Sequence, residues 1–179
     1  AFGLGPGAVD DLVRGWGVRR DKVADLAYVT PGAETPATPR PHTGFRFVFA
    51  GAFSHRKAVD ILAQAWAEAA PHLPDATLRV IGAGPLEAAF EGLPRVERFG
   101  VCPPERIPEA LADCDCGILP SRFDGWGMVI AEYARAGLTL IATQTCGAAE
   151  PLIRPGRNGF IVPPEDVADL AQAMVDAPG

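Results

Sequence analysis

The stretch CGILPSRFDGWGMVIAEYARAGLTLIAT (residues 116–143) decides the fold class of this chain. It begins and ends with short apolar runs of the length and composition that are typical of buried strands. Between them, GMVIAEYARAG carries apolar residues at helical spacing and ends at a glycine, Gly137. A strand, a helix and a second strand in this order predict a parallel βαβ unit.

The same alternation continues on both sides of this stretch. Strands that are apolar throughout and alternate with helices form parallel sheets that are covered on both faces. The sequence therefore predicts a doubly wound, Rossmann-like α/β domain, which would bind ligands at the carboxyl ends of its strands. The predicted strands are residues 45–51, 76–84, 96–100, 116–121, 138–144 and 159–163, and the predicted helices are residues 58–70, 85–93, 104–114, 127–137, 147–153 and 165–174.

The first 43 residues differ in composition from the rest of the chain. A polar helix candidate precedes a short predicted strand, residues 26–29. A semi-rigid, proline-rich linker follows, with prolines at Pro31, Pro36, Pro39 and Pro41. We predict that residues 1–43 are the end of an N-terminal region plus this linker, and that residues 44–179 are the ligand-binding domain.

Composition argues against several classes of partner. The net charge of −6 disfavours nucleic acid and anionic membranes as main partners. The sequence contains neither a signal peptide nor an apolar run of membrane-spanning length. The cysteines lack paired CxxC spacing and the histidines lie far apart, so we expect free thiols in a reducing cytoplasm and no zinc site. These residues are Cys102, Cys114, Cys116, Cys146, His42, His55 and His72.

The loop GAFSHRK (residues 51–57) is the first candidate for chemistry. Gly51 ends a strand, and Arg56 and Lys57 stand where a helix begins. Helix amides together with two cations suit a diphosphate, although the spacing of a P-loop is absent. Two solvated cations beside a helix start are the alternative interpretation. Lys57 is one of only two lysines in the chain.

Two further loops give weaker signals. GAGP, with Gly82 and Gly84, lacks the third glycine of a dinucleotide fingerprint. A tight turn explains it, although its glycines would also allow a ligand to approach the backbone closely. RFGVCPPER (residues 98–106) is a strand end and a turn that could contact a base.

The stretch FDGWG and the helix after it carry two acids, Asp124 and Glu132. Asp124 could simply cap the helix, and Glu132 could pair with Arg135 three residues on. These explanations leave the glycines at the start of the helix unexplained. A phosphate at the helix amides with hydroxyl-rich groups at both acids would make one coherent ligand, a sugar nucleotide.

Read together, the loops resemble one family. The chain is similar to the C-terminal, donor-binding half of a GT-B glycosyltransferase of the retaining family 4, or group 1, type. The resemblance covers residues 45–174 and rests on the motifs GAFSHRKAVDILAQAW, LRVIGAGP, VERFG, DCGILPSRFDGWGMVIAEYARAGLTLIAT, CGAAE and RNGFIVPPED, in this order.

The resemblance implies roles for the matched residues. Asp124 would bind hydroxyls of the donor sugar, Glu132 the ribose hydroxyls, and Lys57 the diphosphate, and we expect these three to be catalytic. Where the family usually has Glu, Arg and Gly, this chain has Asp124, Ala52 and Ala58. Arg56 could replace the arginine that Ala52 lacks. The expected donor-binding residues are Gly51, Arg56, Gly82, Gly84, Arg98, Phe99, Gly100, Phe123, Gly125, Trp126, Gly127, Met128 and Val129.

The resemblance also implies an activity. It predicts a retaining transfer of a hexosyl group from a nucleotide-diphosphate sugar, without metal or cofactor, in cytoplasmic polysaccharide biosynthesis. The acceptor would be held by an N-terminal domain, so we expect this chain to bind donor but not to turn over alone. A non-catalytic nucleotide-binding domain is the alternative. An epimerase or a pyridoxal phosphorylase of the same architecture would need catalytic groups that we do not find.

Overall fold

A six-stranded parallel sheet forms the centre of the protein. The computed structural model describes residues 2–3, 9–25 and 40–179. The spatial order of the strands in this sheet is β5-β4-β3-β6-β7-β8, and every neighbouring pair is parallel. The strands are β1 (Phe2–Gly3) and β2 (Ala24–Asp25), which pair with each other, and β3 (Phe45–Ala50), β4 (Ala76–Ile81), β5 (Val96–Gly100), β6 (Cys116–Leu119), β7 (Thr139–Thr143) and β8 (Gly159–Val162).

Helices follow the strands of this sheet, so the predicted Rossmann-like architecture is confirmed. The α-helices are α1 (Val59–Ala69), α2 (Ile107–Leu111), α3 (Met128–Arg135), α4 (Ala149–Leu152) and α5 (Val167–Asp176). Four 3₁₀ turns that follow a strand or a helix of the sheet domain are His55–Lys57, Ala70–His72, Glu87–Phe90 and Pro104–Arg106.

The core lies between the sheet and its helices. Strands β4, β6 and β7 are almost entirely buried, which is why they read as continuous apolar runs. Trp66 of α1 packs edge-on against Phe47 of β3, with ring centroids 5.9 Å apart. Helices α1 and α5 pack against each other on the same side.

The chain order of the strands reverses between β3 and β6. From β3 the chain moves outward through β4 and β5, then returns to β6 on the other side of β3. Such a reversal opens a crevice at the carboxyl ends of the two central strands. The loops that follow β3 and β6 are therefore the ones that border it.

Tyr133 ties α3 to both central strands. Its side chain is fully buried, and its hydroxyl accepts a hydrogen bond of 2.7 Å from the Ala50 amide at the end of β3. The ring covers Gly117 of β6, where a Cβ would overlap it. Glycine at this position thus allows the helix to sit close to the sheet.

Two predicted helices differ from the structure. Residues 85–93 form only the 3₁₀ turn Glu87–Phe90, because glycines with positive φ, Gly84 and Gly92, lie on either side of it. The helix predicted over residues 104–114 is divided into the turn Pro104–Arg106 and the short helix α2, which has a proline in its first turn.

The N-terminal segment agrees with the prediction only in part. The polar helix candidate is a π-helical turn, Asp11–Gly15. The strand predicted at residues 26–29 and the linker prolines Pro31, Pro36 and Pro39 lie outside the described residues. Beyond them, the Arg40 amide donates to the Ala112 carbonyl at 2.7 Å, so the end of the linker contacts the sheet domain.

We predict that Gly117→Ala destabilises the protein by about 2 kcal/mol, the usual scale for overpacking a core. The new methyl group would push against the Tyr133 ring, which its hydrogen bond to Ala50 holds in place. Urea denaturation measures the change. Gly15→Ala is the control, since that Cβ would meet nothing within 4 Å. Equal stability of the Gly117 and Gly15 variants would contradict the proposed packing.

Candidate functional site

A pocket of about 420 Å³ opens at the carboxyl ends of β3 and β4, beside the first turns of α3. It lies on the β4 side of the crevice that the strand order predicts, and α3, the helix that follows β6, supplies its opposite wall. Most of its wall is apolar, and Glu132 is the acidic side chain on it. The lining residues are Ala50, Gly51, Ala52, Ile81, Gly82, Ala83, Val101, Cys102, Pro104, Ile107, Met128, Val129 and Glu132.

The 3₁₀ turn His55–Lys57 presents two cations next to this pocket. A Cβ on Gly51 would lie 3.7 Å from the Lys57 Cε atom, so the lysine stem passes close to the pocket wall. Ala58 follows the turn in the left-handed conformation, with φ of 52°, and caps α1. The Lys57 side chain is only 13% exposed, unlike the more exposed Arg56.

Asp124 meets both cations. Lys57 Nζ donates to Asp124 Oδ2 at 2.6 Å, and Arg56 Nη1 lies 3.3 Å from the same oxygen. Burial alone would raise the pKa of Asp124, but the hydrogen bond and charge of Lys57 outweigh it, and the pKa falls below its usual value. The alternative that Asp124 caps α3 is wrong, because the cap is Gly127 and receives no side-chain bond.

Gly127 begins helix α3 under tight constraints. Its φ is 85°, and a Cβ there would overlap Cys146 Sγ and the Leu119 side chain. The Ile130 amide donates to the Gly127 carbonyl at 2.9 Å, whereas the amides of Met128 and Val129 precede the first amides that a helix can pair internally. They also carry the positive end of the helix dipole, so they would favour an anion.

Residues 145–148 form backbone hydrogen bonds to the FDGWG loop (residues 123–127). The Asp124 amide donates to the Thr145 carbonyl at 3.2 Å, and the Gly147 amide donates to the Asp124 carbonyl at 3.1 Å. The Trp126 carbonyl accepts from the Ala148 amide at 2.6 Å. The CGAAE motif (residues 146–150) therefore acts here as a support for the loop.

Glu132 lies on the pocket wall, half-buried, one turn inside α3. Burial raises the pKa of Glu132, and the charge of Arg135 opposes this effect without outweighing it. The folded chain thus keeps a carboxylate in a place that disfavours its charge. Such a group is typical of functional sites, where stability is given up for binding.

Sequence reasoning missed a further arginine in the same loop, Arg122. Its guanidinium donates to both Asp60 oxygens at 2.8 and 2.7 Å, to the His55 carbonyl at 2.6 Å, and to Glu165. The bonds to Asp60 raise the pKa of Arg122, and those from Arg122 lower the pKa of Asp60. Only the fold brings these residues together, because more than sixty positions separate Arg122 from Asp60.

Of the expected donor-binding residues, Gly51, Gly82, Met128 and Val129 line the pocket. Arg98 and Phe99 do not line the pocket. The Phe99 ring lies 5.5 Å from the Arg79 guanidinium and borders a second, smaller pocket of about 110 Å³. Val101 and Cys102, the next residues along, line the main pocket instead. Gly100 accepts a hydrogen bond from the Gly82 amide at 2.8 Å, and Gly84 packs against Phe53.

In residues 2–3, 9–25 and 40–179, no three His, Cys, Asp or Glu side chains group as metal ligands would. No helix in the same ranges is long and apolar enough to cross a membrane.

Comparison with known proteins assigns the family. Residues 44–177 match the family described as Glycosyl transferases group 1. The chain belongs to this family. The glycosyltransferase group 1 domain therefore occupies almost all of the sequence that follows the linker, as the motifs predicted.

The relatives are longer proteins. The chain is 36% identical over 127 residues to an exopolysaccharide phosphotransferase of Streptomyces coelicolor, covering 66% of this chain and 13% of that protein. It is 30% identical over 188 residues to D-inositol 3-phosphate glycosyltransferase of Nocardia farcinica, covering 91% of this chain and 41% of that enzyme. The solved structure of Anabaena HepE with UDP and glucose shares the fold, with a TM-score of 0.77, 21% identity, and coverage of 98% of this chain and 52% of that one.

We predict that Glu132→Gln stabilises this glycosyltransferase domain at pH 7. Because the folded state raises the pKa of Glu132 above the ordinary 4.5, its ionised form opposes folding at neutral pH. The gain over wild type should shrink as the pH falls towards 4.5, because protonation removes the buried charge from a growing share of the folded chains. Thermal unfolding between pH 4.5 and 7 measures this dependence.

The exposed Glu68 on α1 offers a matched control. Glu68→Gln should leave the unfolding midpoint nearly unchanged at every pH in this range. A Glu132→Gln chain that is less stable than wild type at pH 7 would show that the carboxylate supports the fold.

Proposed function

We propose that this domain binds a nucleotide-diphosphate sugar in the pocket beside α3 and supplies the donor half of a hexosyltransferase. The observation that carries the proposal is the arrangement of charge around one crevice. Lys57, Asp124 and the α3 amides lie at the phosphate end, and Glu132 lies on the pocket wall beyond them.

The diphosphate would lie between the turn His55–Lys57 and the start of α3. An ammonium group has three donors, and Asp124 uses one of those of Lys57. The others, together with Arg56 and the amides of Met128 and Val129, would meet the phosphate oxygens. Asp124 would then hold Lys57 in place from one side and contact hydroxyls of the donor sugar from the other.

The nucleoside would occupy the pocket itself. The two hydroxyl groups of a ribose would donate hydrogen bonds to the half-buried Glu132 carboxylate. Such bonds stabilise the ionised form, which burial alone disfavours. Val101, Cys102 and Pro104 would form an apolar wall against the base. The presence of UDP and glucose in the HepE structure, which shares this fold, supports a ligand of this class.

Transfer would break the bond between sugar and phosphate, and negative charge would build up on the leaving diphosphate. Lys57, Arg56 and the α3 amides stand where they would stabilise that charge, typically by about 3 kcal/mol for each well-placed donor. This chemistry needs no metal when cations and amides neutralise the leaving group. Retention of the anomeric configuration is part of the proposal through the family resemblance.

The acceptor would bind to a separate domain. The chain spans about half or less of the relatives compared above, which leaves room in such proteins for an N-terminal acceptor-binding domain. We therefore propose that the donor half alone binds its ligand but does not turn it over. We propose polysaccharide biosynthesis as the setting of this activity, and the name of the exopolysaccharide phosphotransferase relative supports it.

Calorimetric titration of the chain with UDP, GDP, ADP and their sugar conjugates tests the proposal. We expect selective binding of one nucleotide. Lys57→Ala and Glu132→Ala should each weaken it at least tenfold, or about 1.4 kcal/mol. Lys22→Ala is the matched control, because Lys22 is the other lysine and lies exposed in the N-terminal segment.

The two variants should differ with the free nucleoside as ligand. Lys57→Ala should leave nucleoside binding unchanged, because no phosphate is present, whereas Glu132→Ala should weaken it. A folded wild-type chain that binds none of these ligands, or binds them as well without Lys57 and Glu132, would contradict the donor-binding function.

A further inference from the structure

Arg122 joins three segments that surround the phosphate end of the site. Its guanidinium donates to the His55 carbonyl in the 3₁₀ turn, to Asp60 in the first turn of α1, and to Glu165 in the loop before α5. Its side chain is 16% exposed. Its own backbone amide donates to the Arg56 carbonyl at 3.0 Å.

These bonds fix one loop against the other. The turn held by Arg122 carries Arg56 and Lys57, and the loop that contains Arg122 carries Asp124 two residues later. The distance of 2.6 Å between Lys57 Nζ and Asp124 Oδ2 therefore depends on how far apart these two segments lie. A planar guanidinium with several fixed donors holds such a distance better than a single flexible contact.

We infer that Arg122 is a positioning residue for the Lys57–Asp124 pair and, through this pair, for the binding of the diphosphate. Arg122 itself touches no ligand in this scheme. The part that concerns the diphosphate rests on the proposed function, whereas the part that concerns the Lys57–Asp124 pair stands on the contacts alone.

Arg46 offers a control that distinguishes a positioning role of Arg122 from a merely structural one. Its side chain is 19% exposed and bonds to the carbonyl and carboxylate of Asp113, so it resembles Arg122 in burial and partners. Arg46 is the second residue of β3 and lies at the opposite end of this strand from the site. Removing either arginine should destabilise the fold, but only Arg122 should affect the Lys57–Asp124 pair.

The experiment measures hydrogen exchange of the lysine ammonium groups in the ligand-free chain by ¹H–¹⁵N NMR. The chain has only two lysines, so the spectrum holds two signals, and Lys22 serves as the internal reference. We expect Arg122→Gln to speed exchange at Lys57 about tenfold, and Arg46→Gln to change it less than about twofold. In a parallel titration with whichever of UDP, GDP and ADP the wild type binds, Arg122→Gln should weaken binding about tenfold relative to Arg46→Gln.

Asp60→Asn covers the case in which Arg122→Gln fails to fold. This substitution leaves the Arg122 guanidinium in place but removes the negative charge of its bidentate partner. It should also speed exchange at Lys57, by a smaller factor than Arg122→Gln does. Equal exchange at Lys57 in the Arg122 and Arg46 variants would overturn the inference. If wild type binds no nucleotide, the proposed function fails, while the exchange rates still decide the role of Arg122.

Discussion

The hydrogen bond from the Ala50 amide to the Tyr133 hydroxyl sets the position of helix α3, and the rest of the site depends on that position. Because Tyr133 must point into the core, its neighbour Glu132 comes to lie at the edge of the core, on the pocket wall. The same contact keeps the first turn of α3 beside the end of β3. Gly117 permits it by leaving room for the ring.

Charge is distributed unequally around this framework. Beside the turn His55–Lys57, the cations Lys57 and Arg56 outweigh the burial of Asp124, and the pKa of Asp124 falls. On the pocket wall, burial of Glu132 outweighs the charge of Arg135, and the pKa of Glu132 rises. The ionised form of Asp124 therefore stabilises the ligand-free fold, whereas that of Glu132 destabilises it. This difference suits a site where Asp124 positions a cation and Glu132 has carboxylate oxygens that can accept hydrogen bonds from hydroxyl groups.

The sequence predicted the order of strands and helices well, because buried parallel strands are apolar throughout and their loops collect at one edge. The register of the edge strand could not be predicted in the same way. Val80 pairs with Arg98 and Ile81 pairs with Gly100, so Phe99 is the extra residue of a bulge that no local pattern announces. The bonds between Arg122 and Asp60 leave no local pattern at all, since they join distant parts of the chain.

The turn that carries Lys57 shows how the fold maintains an unfavourable conformation at a site. Ala58 follows Lys57 with φ of 52°, in a region that costs a residue with a Cβ about 1 kcal/mol. Its amide donates to the His55 carbonyl, its carbonyl accepts from the Leu62 amide, and its methyl group is buried, so the backbone has little freedom to relax. The strain and the bonds of Arg122 act on the same short turn. Together they hold Lys57 against Asp124 before any ligand arrives, which removes part of the ordering cost of binding.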